Sequence, residues 1–89
     1  MNVYTVLLSP RAGRILGKLH EPHLSEILGG IETLRQYGPF PQGKNVVKLQ
    51  GAQSRYRFRF GDYRIVYEVE TRARVLTITD AGQKKDIVY

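Results

Sequence analysis

On both sides of a Gly61-Asp62 pair, apolar and charged residues alternate along RYRFRF and YRIVYEVE, which is the pattern of two antiparallel strands joined by a two-residue turn. The register can be counted outward from that turn. Phe60 falls opposite Tyr63, Arg59 opposite Arg64, Phe58 opposite Ile65, Arg57 opposite Val66, Tyr56 opposite Tyr67 and Arg55 opposite Glu68. Because side chains alternate between the faces of a strand, Tyr56, Phe58, Phe60, Tyr63, Ile65 and Tyr67 form one apolar face. Arg55, Arg57, Arg59 and Arg64 share the other and point away from the core.

The rest of the chain reads in the same terms. Val3 to Leu8 is a short apolar run fit for a buried strand. Ser9-Pro10 is an N-cap followed by proline at the first helical position. Ala12, Ile15, Leu16 and Leu19 then recur at helical spacing, predicting a helix over residues 10–20. Glu21-Pro22 interrupts it, and a second stripe, Leu24, Ile27, Leu28, Ile31 and Leu34, predicts a helix that stops at Gly38-Pro39. Gly29 and Gly30 lie inside it, where each weakens a helix by about 1 kcal/mol relative to alanine unless close packing requires them. Residues 38–53 read as loop with brief pairing at residues 46–49. A turn at residues 71–73 leads to a last strand at residues 74–79. The order β, α, α, β, β, β implies a single α+β domain over residues 1–89: a mostly antiparallel, twisted sheet with both helices on one face.

Charge changes this picture. The chain carries 14 Lys and Arg against 8 Asp and Glu, for a net charge of +6. Residues 1–42 contribute +1, residues 65–89 nothing, and residues 43–64 contribute +5 through Lys44, Lys48, Arg55, Arg57, Arg59 and Arg64 against Asp62. Like charges opposed across a ladder are destabilising by about 0.2–1 kcal/mol, so the Arg59 and Arg64 pair is not explained by stability. A localised basic patch interleaved with aromatics fits the phosphates and bases of a nucleic acid; an acidic protein partner fits the same charge. A membrane surface fits less well, since no basic amphipathic helix accompanies the patch. The N-terminal apolar run is too short for a signal or membrane segment, and the expected location is cytoplasmic.

Other chemistries find little support. There is no cysteine. His20 and His23 flank Glu21-Pro22 without further histidines to complete a metal shell, and read as exposed imidazoles on a connecting turn. No metal or other cofactor is expected. Ser9 reads as a helix cap, and no phosphate-binding glycine loop is present. What remains is a cationic constellation with tyrosines, able to meet charge on phosphate oxygens and to orient RNA for attack by its own 2′-hydroxyl. Arginine stays protonated, so these residues supply no evident base.

Lys48-Leu49-Gln50-Gly51, the hairpin from Tyr56 to Val69, and the terminal Val88-Tyr89 together resemble the RelE group of the RelE/ParE toxin superfamily, over the whole chain. That resemblance implies the toxin of a type II toxin–antitoxin system, which cleaves mRNA in the A site of the 70S ribosome and is held inactive in a hetero-oligomer by an antitoxin from the same operon. Carried over, it implies catalytic roles for Arg57, Arg59, Arg64, Lys84 and Tyr89. Lys44, Lys48, Arg55 and Lys85 are the further cations expected to hold RNA. Some members have lysines on the first hairpin strand where this chain has arginines, and Gln83-Lys84 stands where a His-Arg pair is common. The alternatives are a ParE-like inhibitor of DNA gyrase and a catalytically inactive antitoxin-binding module.

Overall fold

Strand β1 (Thr5–Leu8) runs directly into helix α1 (Pro10–Lys18), and Ser9 starts that helix as its position predicts. Its hydroxyl oxygen accepts from the Ala12 amide at 3.1 Å, satisfying one of the donors a helix leaves unpaired at its start. The computed structural model describes residues 3–49, 51 and 54–86. Helix α2 (His23–Tyr37) follows and ends at Gly38, whose φ of 88° lies in the region that favours glycine. Strands β2 (Asn45–Lys48), β3 (Arg55–Phe60), β4 (Tyr63–Glu70) and β5 (Val75–Gln83) complete the fold, followed by a short 3-10 turn at Lys84–Asp86.

The sheet order is β1-β5-β4-β3-β2. All neighbours are antiparallel except β1 and β5, which are parallel. The β3–β4 register is the one counted from the sequence, pair for pair. Both helices cover one face, where Ala12, Ile27 and Leu34 meet Phe58, Ile65, Tyr67 and Leu76. Gly30 permits this contact: a Cβ there would stand 2.5 Å from Phe60 Cζ and 2.9 Å from Ile65 Cδ1.

The last strand is longer than the sequence pattern predicts, and the reason is a β-bulge. Register shifts between Val66 and Tyr67, so that Tyr67 faces Ile78, Val66 faces Asp80, and Thr79 is the extra residue. The Thr79 hydroxyl donates to the Val66 carbonyl at 3.3 Å, occupying an acceptor beside the interrupted ladder. The bulge also reverses the alternation. Continued from Leu76 and Ile78, strict alternation would direct Asp80 into the core; with the bulge, Ala81 joins the core and Asp80 lies in the row of Val66. The strand expected over residues 74–79 is therefore corrected to one that pairs through Gln83.

Candidate functional site

Opposite the helices, register places side chains in rows across the sheet. One row holds Asn45, Arg59, Arg64 and Gly82; the next holds Val47, Arg57, Val66 and Asp80; Arg55 lies opposite Glu68 in a third. The hairpin turns at Gly61, whose φ of 53° suits glycine. Arg59 is exposed, while Arg55, Arg57 and Arg64 are half-buried. Their stems therefore lie along the sheet, in line with the 1 % exposure of Val66 on a face that neither α1 nor α2 covers.

Arg59 is held from the neighbouring strand. With its amide oxygen turned toward the guanidinium, Asn45 accepts from Arg59 Nε at 3.2 Å and Nη2 at 2.9 Å. Arg64 faces a residue without a side chain, Gly82, and this leaves room beside it. That room opens into a pocket of ≈ 440 Å³ lined by Asp62, Arg64, Gln83, Lys84 and Lys85. The Lys84 amide donates to the Asp62 carbonyl at 2.7 Å, which ties the 3-10 turn to the hairpin tip and brings both lysines, exposed, to the side of Arg64.

The structure thus brings together Arg64, Lys84 and Lys85, with Arg59 opposite Arg64 and Arg57 and Arg55 further along the same face. Lys48 pairs with Tyr56 and so alternates away from the arginines, and Lys44 lines a separate groove against α2 with Thr33, Phe58 and Phe60. Tyr89 lies outside the described residues. Asp62 and Gln83 are pocket residues that the sequence reading did not select; their nearness depends on β5 continuing past the bulge, which no local pattern signals.

His20 is exposed as expected, but His23 is not. It is half-buried, and its Nδ1 lies 2.8 Å from Tyr63 Oη, so the connecting turn is pinned to the start of β4. Burial, followed by the charges of Glu26 and Asp62, raises the Tyr63 phenol above its ordinary pKa. No group of acidic, histidine or cysteine side chains among the described residues could hold a metal ion, and no described helix is long and apolar enough to cross a membrane.

What the arrangement can do is meet anionic oxygens from several directions at once. Two opposed guanidiniums, one of them oriented by an amide, and two ammonium groups lie at one end of the arginine face. Such a set is suited to a phosphodiester.

No protein-family model matches the sequence, and no curated protein matches it. Solved structures do. The archaeal RelE in complex with RelB from Pyrococcus horikoshii OT3 is 29% identical, with a TM-score of 0.74 over 98% of this chain and 100% of that one. The RelE toxin of the intact E. coli RelBE complex gives a TM-score of 0.73 at 19% identity, covering 91% of this chain and 96% of that one. YoeB from the Staphylococcus aureus dimer gives 0.72 at 16% identity, over 97% of this chain and 98% of that one. The chain has the α+β fold of the RelE-type toxins.

Proposed function

We propose that this protein is the toxin of a type II toxin–antitoxin pair and that it acts as a ribosome-dependent endoribonuclease on mRNA in the A site. The observation that carries the reading is the meeting of Arg64, Lys84 and Lys85 at one pocket, with Arg59 opposite Arg64 in the sheet, on a fold whose solved relatives include RelE toxins bound to RelB. An antitoxin made with the toxin, binding it into an inactive complex, is the partner this implies, and the cytoplasm is where both would work.

In the reaction, the 2′-oxygen of the nucleotide before the cut gives its proton to water and forms a bond to the adjacent phosphorus, and the bond to the 5′-oxygen breaks as that oxygen takes a proton from water, leaving a 2′,3′-cyclic phosphate and a 5′-hydroxyl. Arg59 and Arg64 meet the charge that grows on the non-bridging oxygens, and Arg57 holds the neighbouring phosphate. Lys84 and Lys85 meet the charge on the departing 5′-oxygen, and Tyr89 stacks on a base at the cut. The carboxylate lining the pocket is that of Asp62. Arginines are not bases near neutral pH, so most of the acceleration comes from orientation and charge. Orientation supplied by the ribosome accounts for the dependence on it.

Primer extension on a defined mRNA, with and without programmed 70S ribosomes, tests this reading. Cleavage at the A-site codon with ribosomes only, falling at least about 100-fold for Arg64→Ala and Arg59→Ala, is the expected outcome, since removal of a single transition-state donor costs about 10²–10³. Absence of cleavage by the wild-type protein, with inhibition of DNA supercoiling in its place, would assign it to the gyrase-directed branch.

A further inference from the structure

The weak net charge of residues 1–42 conceals a segregation. Arg11, Arg14 and Lys18 all sit on α1, which has no acidic residue; Glu21, Glu26 and Glu32 lie on the turn and on α2, where Glu32 pairs with Arg35 at 2.6 Å. Positions 11, 14 and 18 fall within about 60° of arc at 100° per residue and span about 10 Å of helix. All three are exposed. The opposite side of α1 is apolar, with Ala12 buried in the core and Leu16 packed against it.

This arrangement opposes helix stability. Arg11 stands in the first turn, where the helix dipole disfavours a cation, and Arg11 and Arg14 at i, i+3 and Arg14 and Lys18 at i, i+4 are like-charge pairs. Two of the three are offset: Arg11 Nη2 lies 3.3 Å from Asp80 Oδ2, and Lys18 stands in the last turn, where the dipole favours a cation. Among the described residues, neither Arg14 nor Lys18 has an acidic partner. Asp80 is 7 % exposed and belongs to the sheet row of Arg57 and Val66. Since β1 ends at Leu8, α1 follows at the edge of β5 beyond Ile78, where the Ser9 amide donates to the Ile78 carbonyl at 2.9 Å. The Arg11 guanidinium therefore reaches the end of a row whose other cation, Arg57, lies two strands or about 10 Å away. The basic field continues around the β5 edge onto the helix.

We infer that the Arg11, Arg14 and Lys18 stripe of α1 is a second phosphate-binding surface, engaging the backbone of double-stranded RNA while the arginine face holds the single strand. The inference rests on the RNA reading above for its ligand class. RNA is favoured over an acidic protein because the exposed arc has cations and no apolar centre, whereas protein interfaces have one; the exposed large apolar residues, such as Leu7, Leu28 and Phe40, lie elsewhere. A 10 Å stripe spans about three nucleotides of one duplex strand.

The test is fluorescence anisotropy with a labelled 12-base-pair RNA duplex and no ribosomes, over about 50–300 mM salt, on the wild type, Arg14→Gln/Lys18→Gln, and the charge-retaining Arg14→Lys/Lys18→Arg. A loss of about 10-fold or more in duplex affinity at 100 mM salt for the neutralised variant, a salt slope shallower by about 2, and recovery in the charge-retaining variant are expected. Wild-type affinity and slope in the neutralised variant would overturn the inference. So would a loss of binding confined to a polyglutamate probe. A duplex defect in the variant beside a wild-type protein that cleaves no mRNA would uphold this surface and sink the nuclease reading. Cleavage of mRNA with duplex binding unaltered would do the reverse.

Discussion

Two side chains adjacent in sequence illustrate how differently single residues act here. Val66 faces the arginines and Tyr67 faces the helices, and both are buried, at 1 % and 0 % exposure. The Tyr67 hydroxyl donates to the Pro39 carbonyl, and burial pushes its phenol far above the ordinary value. Removing that hydroxyl leaves a buried acceptor unpaired, a loss of about 1–3 kcal/mol, so Tyr67→Phe is expected to lower the melting temperature by about 4 °C or more. Arg59 is exposed, and its loss removes a like-charge pair with Arg64 as well as the link to Asn45. Arg59→Ala should therefore change stability by no more than about 0.5 kcal/mol. Scanning calorimetry on the two variants decides it: a fall for Arg59→Ala equal to that of Tyr67→Phe would mean that this arginine supports the fold.

At the level of elements, the adjacent glycines of α2 provide an internal control. A methyl on Gly30 would enter the rings of Phe60 and the end of Ile65, whereas nothing lies within 4 Å of a methyl on Gly29. Alanine gains about 1 kcal/mol of helix propensity at either site, but overpacking costs about 1–3 kcal/mol. Gly29→Ala should raise the urea midpoint and Gly30→Ala should lower it; a rise for both would contradict the close seating of α2 on β3 and β4. The same comparison marks what a sequence makes legible. The caps, the helix stripes and the hairpin register depend on neighbours a few residues apart, and each was readable. The extension of β5 was not, because a bulge is a property of two paired strands, and nothing in Thr79-Asp80-Ala81 announces that Val66 will face Asp80. The candidate site divides along the same line. Arg57, Arg59 and Arg64 follow from alternation alone, while Asp62, Gln83 and the approach of the lysines depend on how far β5 pairs. Lys44 and Lys48 counted toward the basic segment by position in the chain, yet they lie off the arginine face.

Across the whole molecule, cations gather on the hairpin, the 3-10 turn and α1, while Glu32 of α2 is balanced locally by Arg35. Such a distribution favours anionic partners over self-association and leaves the core to carry stability. Part of that core is phenolic, which gives the fold an alkaline limit. Tyr67 is raised well above its ordinary pKa by burial, then by Tyr56, and Tyr63 is raised by burial and by Glu26 and Asp62. In the unfolded chain both ionise near pH 10. Above that pH the folded state holds phenolic protons that the unfolded state has lost, so stability falls as pH rises from about 10; below it, this contribution is present in full. Absorbance at 295 nm should then show fewer than the 6 tyrosines of the chain ionised at pH 11 in the native protein, and all of them in denaturant. Urea midpoints at pH 9 and pH 11 separate this from the loss of lysine charge over the same range. The wild type should lose more stability between the two pH values than Tyr67→Phe, in which the most strongly shifted phenol is absent. An equal loss in both proteins would assign the alkaline limit to the surface cations and leave the buried phenol without a part in it.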